Sequence, residues 1–476
     1  MLEGIFKFKL CGTTLARDTL AGLTTFMVMS YIIFVNPNIL TLGNPADPKK
    51  AALTTSTCLV AGVMTIIMGL VTNRAYAIAA GMGLNAVVAY QLVAGQGLSL
   101  KSAMGIIVLE GVVITILVLT GFRKAIFDAI PLELKKAIVV GIGFFILFIG
   151  LVDGGIAVAV PGGVPPVGLG DFIGWPIAVT AFGLILTIIL MARKWRAAVL
   201  VGIAASTVLA TILNYAFDKK PFGEFTAVWP GSPVERPDFG LVGQFDFAAF
   251  AKLGVIVTCL WVFSIMLSDF FDTMGTLIGV GGQAGYLDEN GNLPGANRAL
   301  LVDSLSAAAG GAASASSNTT YIESGAGVGV GGRTGWVAVI TGLCFLASMP
   351  FWPIAGIVPA QATAPALIIV GYYMMSTLTH KERLDGREGD EGVCYAAIDF
   401  SDLAFGLPAI LTMTVMPLTY SITNGIGAGF ISYVVVRITQ GKAKDIHWLL
   451  WVASAAFLVY FLFPLMRVKF GWNAGS

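Results

Sequence analysis

The chain has 476 residues, 57% hydrophobic and only 12% charged, with a mean hydropathy of +0.85. A soluble domain carries roughly 25% charge, so a soluble enzyme is excluded. Lys and Arg number 28 against 27 Asp and Glu, a net charge of +1, which leaves no surplus to attract nucleic acid or an acidic macromolecule.

A bilayer core about 30 Å thick takes about 20 apolar residues per helix, so this composition fits a polytopic membrane protein. The runs 137–152 and 177–191 are almost continuously apolar, whereas the strands of a membrane barrel alternate. Helices are therefore expected to cross the membrane. The first 17 residues carry Lys7, Lys9 and Arg17 and lack an apolar region with a cleavage site, so no secretory signal is expected. Spans are then predicted at 18–41, 51–71, 77–95, 102–121, 134–152, 172–191 and 197–215. A polar stretch, 216–252, separates these seven from seven more at 253–278, 299–316, 318–332, 334–350, 356–377, 403–419 and 422–439. The basic residues Lys7, Lys9, Arg17, Arg74, Lys135, Lys136, Arg193, Lys194, Arg196, Arg298, Arg333 and Arg437 then fall on one side, which predicts a cytoplasmic amino terminus. A last apolar stretch, 448–465 within a terminal segment 441–476, would carry Arg467 and Lys469 outside, and the sequence leaves its topology open.

The halves 1–215 and 253–440 are weak copies, offset by about 230 residues. Ile130-Pro131 followed by Val140-Gly141 recurs as Val358-Pro359 followed by Val370-Gly371, and Asp171 with Pro176 recurs as Asp402 with Pro408. Seven spans per half, an odd number, invert the second copy and favour an inverted-repeat secondary transporter. Such folds bind substrate near the midplane between corresponding broken helices. In each half the third span is short, Gly-interrupted and polar: Ala80-Gly81-Met82-Gly83-Leu84-Asn85 in one, Asn318 to Gly325 in the other.

Ionisable side chains at membrane depth usually face a polar cavity or a partner. Asp269 and Asp272 lie three apart on one helical face, where they serve either substrate and proton or only neighbouring helices. Glu323 opens a Gly/Ala-rich segment at the amino end of a half-helix, and either accepts hydrogen bonds from ligand N–H groups or ties down the broken helix. Asn85 can complement an edge of a heterocycle or brace the broken third span. Glu110 has no visible partner, and Asp303 follows Arg298 near an expected helix start, so both are read as pairing or capping groups. Gly325 to Gly332 imitates a dinucleotide loop but sits in a membrane segment, where close helix packing explains it better. Five scattered cysteines without C-x-x-C spacing, and only His380 and His447, predict neither a disulfide framework, a metal site nor a cofactor.

Four separated motifs carry a family resemblance: Gly81-Met82-Gly83-Leu84-Asn85-Ala86; Asp269-Phe270-Phe271-Asp272-Thr273-Met274-Gly275-Thr276; Thr319-Thr320-Tyr321-Ile322-Glu323-Ser324 with Gly331-Gly332-Arg333-Thr334-Gly335; and Ser421-Ile422-Thr423-Asn424-Gly425-Ile426-Gly427. In these the chain resembles the AzgA-like adenine/guanine/hypoxanthine permeases of the nucleobase/cation symporter superfamily. The resemblance implies an all-α 7+7 inverted repeat with short strands before two half-helices, a core domain of spans 1 to 4 and 8 to 11, and a gate domain of the rest. It implies purine import by proton symport with elevator-like motion. The implied substrate contacts are Asn85, Asp269 and Glu323 with the backbone of Ala86, Tyr321 and Ile322, and the proton is implied to use Asp269, Asp272 or Glu323. Expected partners are a purine nucleobase, a proton and the lipid bilayer, with a homodimer left open and no cofactor. The rival is an anion exchanger or channel on the same architecture, which three acidic residues at the site argue against.

Overall fold

The computed structural model describes residues 2–470 except 45, 122–128, 161–165, 218–219, 225, 288–292 and 377–397, so His380 and Cys394 lie outside the described residues. The apolar runs fold into helices because backbone groups in hydrocarbon must be satisfied within their own segment. In chain order these are α1 (Leu15–Met29), α2 (Ile32–Leu40), α3 (Lys50–Thr72), α4 (Met82–Ala86, continuing as a π-helical stretch Val87–Gly95), α5 (Leu100–Leu119), α6 (Leu132–Asp153), α7 (Trp175–Ala192) and α8 (Ala198–Ala216). After the polar stretch follow α9 (Val255–Ala284), α10 (Ala296–Ala312), α11 (Ser324–Val330), α12 (Gly335–Ser348), α13 (Ala360–Ser376), α14 (Leu403–Leu418), α15 (Ile422–Thr439) and α16 (Trp448–Phe470). Strands β1 (Ile78–Ala80) and β4 (Asn318–Thr320) precede α4 and α11, while β2 (Ala157–Ala159) and β3 (Val167–Leu169) form a hairpin after α6. Side-chain caps mark several starts: Thr14 accepts from the Arg17 amide at 3.2 Å, and Ser99 from the Ser102 amide at 3.1 Å.

Among the described residues nine helical segments have the length and apolarity to cross a bilayer, and Met82–Gly95, Leu403–Leu418 and Trp448–Leu462 are shorter apolar helices. The other predicted spans fall on α10 and α13, of 17 residues each, and on the β4–α11 unit, whose helix has only 7. Each of the fourteen predicted segments thus holds a helix. Three predicted spans are not continuous helices: 18–41 breaks at Ser30–Tyr31 into α1 and α2, 77–95 begins as β1, and 318–332 begins as β4. The terminal helix α16 packs beside α15 and α9, with Leu450, Ala453 and Phe457 buried.

Helices of the two halves pack across one another: the second span α3 on the eleventh, α12; the fourth span α5 on the ninth, α10; and the equivalent fifth and twelfth spans α6 and α13 on each other. Glycines make the closest approaches. A Cβ on Gly335 would stand 1.9 Å from the Gly69 carbonyl oxygen, and one on Gly371 2.5 Å from that of Gly143. The Gly-rich run after Glu323 packs in the same way, since a Cβ on Gly327 would meet Thr25 Oγ1 at 2.2 Å. Asp18, fully buried at the start of α1, accepts from the backbone of Arg333 and Thr334 at 3.2 and 3.1 Å and from the Thr13 hydroxyl at 2.6 Å, fastening the first span to the turn between α11 and α12.

Candidate functional site

The centre of the bundle is a two-stranded antiparallel sheet made by the two broken spans. Ile78 pairs with Thr320, Ala79 with Thr319 and Ala80 with Asn318. The ladder continues at both ends, through the Tyr321 amide to the Ala77 carbonyl and the Gly81 amide to the Ser317 carbonyl, each at 2.9 Å. From this pair the chain leaves in opposite directions, into α4 after Gly81 and into α11 after Glu323. Antiparallel pairing of copies is what an inverted repeat requires at its axis.

Two buried carboxylates hold the sheet. Asp303 accepts from the Thr320 amide at 2.9 Å, the Thr320 hydroxyl at 2.8 Å and the Thr273 hydroxyl at 2.6 Å, so it joins β4 to α9. Glu110 accepts from the Ser317 hydroxyl at 3.2 Å, just ahead of β4. The sequence places Asp303 near a helix start beside Arg298; in the fold it is mid-helix in α10 and anchors the strand instead. The Thr273 hydroxyl also meets that of Thr319 at 2.9 Å, so the acidic face of α9 and the strand are tied in register.

Glu323 stands at the amino end of α11 and makes no cap bond with its side chain; its Oε1 accepts from the Tyr31 hydroxyl at 2.6 Å. Tyr31 is 1% exposed and sits at the break between α1 and α2. Sequence reading missed it, although Ser30-Tyr31 is a polar interruption of an otherwise apolar run. Asp272, Glu323, Tyr31 and Tyr321 lie close enough to interact electrostatically, and the Tyr321 hydroxyl donates to the Ala80 carbonyl of β1. Asp269 is fully buried one turn before Asp272 on α9. Asn85 and Ala86 are fully buried on α4, which packs against α9. Neither polar atom of the Asn85 side chain has a hydrogen-bond partner among the described residues. Ile322 is half-buried.

The fold therefore brings Asp272, Tyr321 and Glu323 together with Tyr31, and places Asn85 and Asp269 on the two elements that adjoin them. Chemically this is a set of acceptors and amide groups, suited to a ligand with N–H donors. Two cavities lie away from this set: an apolar one of about 430 Å³ between α5, α9, α15 and α16, and one of about 210 Å³ lined by Asn38, Lys50 and Gln361 among others.

Comparison with known proteins agrees with this architecture. The guanine/hypoxanthine permease PbuG of Bacillus subtilis is 39% identical over 97% of this chain and 100% of its own length. The adenine permease AdeQ of Escherichia coli is 38% identical over 96% of this chain and 95% of its own. The transmembrane domain of the cyanobacterial bicarbonate transporter BicA superposes with a TM-score of 0.60 over 87% of this chain and 97% of that domain, at 14% identity, and so shares the fold. Residues 17–396 match the sequence profile described as the permease family, and the chain belongs to that family.

Proposed function

We propose that this permease carries purine nucleobases into the cell by proton symport, across the cytoplasmic membrane, with its amino terminus inside. The observation that carries the reading is the carboxylate of Glu323, held by Tyr31 beside Asp272 where the two broken spans meet. The names of the relatives, purine permeases at 38 to 39% identity, support the substrate class. A purine offers ring N–H and exocyclic groups along its edges. Glu323 and Asp269 accept from those donors, and Asn85 supplies one amide donor pair and one acceptor to the opposite edge. The backbone of Ala86, Tyr321 and Ile322 adds amide contacts. Protonation of Asp269, Asp272 or Glu323 lowers by one the negative charge that the acidic cluster carries through the membrane, which couples proton uptake to binding. The core domain, spans 1 to 4 and 8 to 11, carries the site past the gate domain in an elevator-like step.

The test is uptake of radiolabelled adenine, guanine, hypoxanthine and uracil into proteoliposomes, with and without an inward proton gradient. Saturable purine uptake that rises with the gradient supports class and coupling together; flat traces for all four bases from folded protein overturn the assignment. Glu323→Gln removes the negative charge and turns one acceptor oxygen into an N–H donor at nearly constant shape, and is expected to abolish or strongly weaken purine binding while the protein folds. Normal binding by that variant would remove Glu323 from the mechanism.

A further inference from the structure

The end of the bundle remote from the amino terminus carries a contact between core and gate that no function yet described uses. Tyr90 and Gln91 stand on the π-helical continuation of α4, further out on the unit that carries Asn85. There the hydrogen bonds run over five residues, as from the Gln96 amide to the Gln91 carbonyl at 2.9 Å, a rare form that is frequent at functional sites. Tyr420 lies in the turn between α14 and α15, with φ +54° in the left-handed region that a bulky residue seldom adopts. Its ring meets that of Tyr90 edge-on, centroids 5.3 Å apart at 85°, and is backed by Phe145 at 5.4 Å and Phe148 at 5.8 Å, both on α6. Next to it the Ser421 hydroxyl donates to Gln91 Oε1 at 3.2 Å. Asp153, the last residue of α6, is close enough to interact electrostatically with both tyrosines.

We propose that the Tyr90–Tyr420 ring contact and the Gln91–Ser421 hydrogen bond form the outer gate of the substrate pathway, closed in this structure. The inference rests on the transport reading above. Three observations distinguish the contact from ordinary packing. Its partners come from opposite domains: Tyr90 and Gln91 from the third span, Tyr420, Ser421 and the phenylalanines from spans five, thirteen and fourteen. It is made of side-chain tips, whereas within the gate α6 and α13 meet backbone to backbone at Gly143 and Gly371 and cannot slide. It is incompletely bonded, since the Gln91 side-chain nitrogen, buried at 7% residue exposure, has no partner among the described residues. Outward movement of α4 relative to Tyr420 would part the rings and break the single hydrogen bond, opening a path lined by phenols, an amide and a carboxylate toward Asn85.

The test uses the full-length double variant Gln91→Cys with Ser421→Cys in proteoliposomes, treated with a short bifunctional methanethiosulfonate that dithiothreitol removes. Wild type and both single variants, treated alike, control for the native cysteines. Bridging is expected to lower purine uptake at least tenfold, and dithiothreitol to restore it, which also shows that the protein stays folded. Full uptake by bridged protein would overturn the gate, and so would failure of the two thiols to bridge at all. Uptake by the unbridged variant reads the transport function separately, so loss of that reading and loss of the gate give different results.

Discussion

Asn85 offers the sharpest test of whether the centre of the bundle is built for a ligand or for stability. It is fully buried, and neither its amide nitrogen nor its oxygen has a partner among the described residues. An unpaired buried polar group costs ~1–3 kcal/mol. Replacing Asn85 with Ala removes that cost and gains up to ~0.7 kcal/mol of helix propensity, against a loss of packing of about 1–2 kcal/mol at the small void left behind. The variant should therefore lie between ~1 kcal/mol less stable and ~3 kcal/mol more stable than wild type, with the balance on the stable side. If the amide meets the base edge through two hydrogen bonds of ~1 kcal/mol each, binding weakens roughly 30-fold. Stability rising while function falls is the mark of a residue retained for its ligand. The assay pairs thermal unfolding in detergent with equilibrium binding of adenine and hypoxanthine. A variant that unfolds at lower temperature yet binds purine within threefold of wild type would refute the reasoning, because Asn85 would then be a structural brace.

Two further substitutions separate site from scaffold. Tyr31→Phe keeps a ring that is 1% exposed but removes the 2.6 Å hydrogen bond to Glu323; a bond to a charged acceptor is worth ~1.5–3 kcal/mol, so the unfolding midpoint should fall, and purine affinity measured by equilibrium binding should fall as well because Glu323 loses the group that orients it. Gly335→Ala drives a Cβ to 1.9 Å from the Gly69 carbonyl oxygen, and neither backbone can yield without separating α3 from α12. Overpacking of this kind costs ~1–3 kcal/mol, read as a lower unfolding midpoint, whereas Gly4→Ala, with nothing within 4 Å of its Cβ, serves as a neutral control.

The membrane class, the helical spans and the acidic positions were legible because each is a property of a short stretch of chain. Apolar run length decides whether a segment can cross hydrocarbon, and a carboxylate inside such a run stands out. Glu323 and Asp272 were found this way, from a polar segment and a helical spacing of three, while Tyr321 entered only through the family resemblance; the structure does bring the three together. Tyr31 was not found, because tyrosine is at home in an apolar run and its partner lies 292 residues away. Asp303 was rightly read as a structural group, but its partners were not legible for the same reason: its neighbour in sequence is Arg298, whereas its hydrogen bonds go to Thr320 and Thr273.

By itself, then, the sequence determined that this is a helical membrane protein of two related halves, and which few polar residues stand at membrane depth. Hydropathy and local spacing suffice for that, since both act within one segment. Only the tertiary structure decided that residues 78–80 and 318–320 pair as strands, that Asp303 and Glu110 hold the second strand, and that Tyr31 reaches Glu323 across the break between α1 and α2. Those contacts depend on where glycines let backbones approach and on how inverted copies interlock, and such distances arise only when distant segments pack.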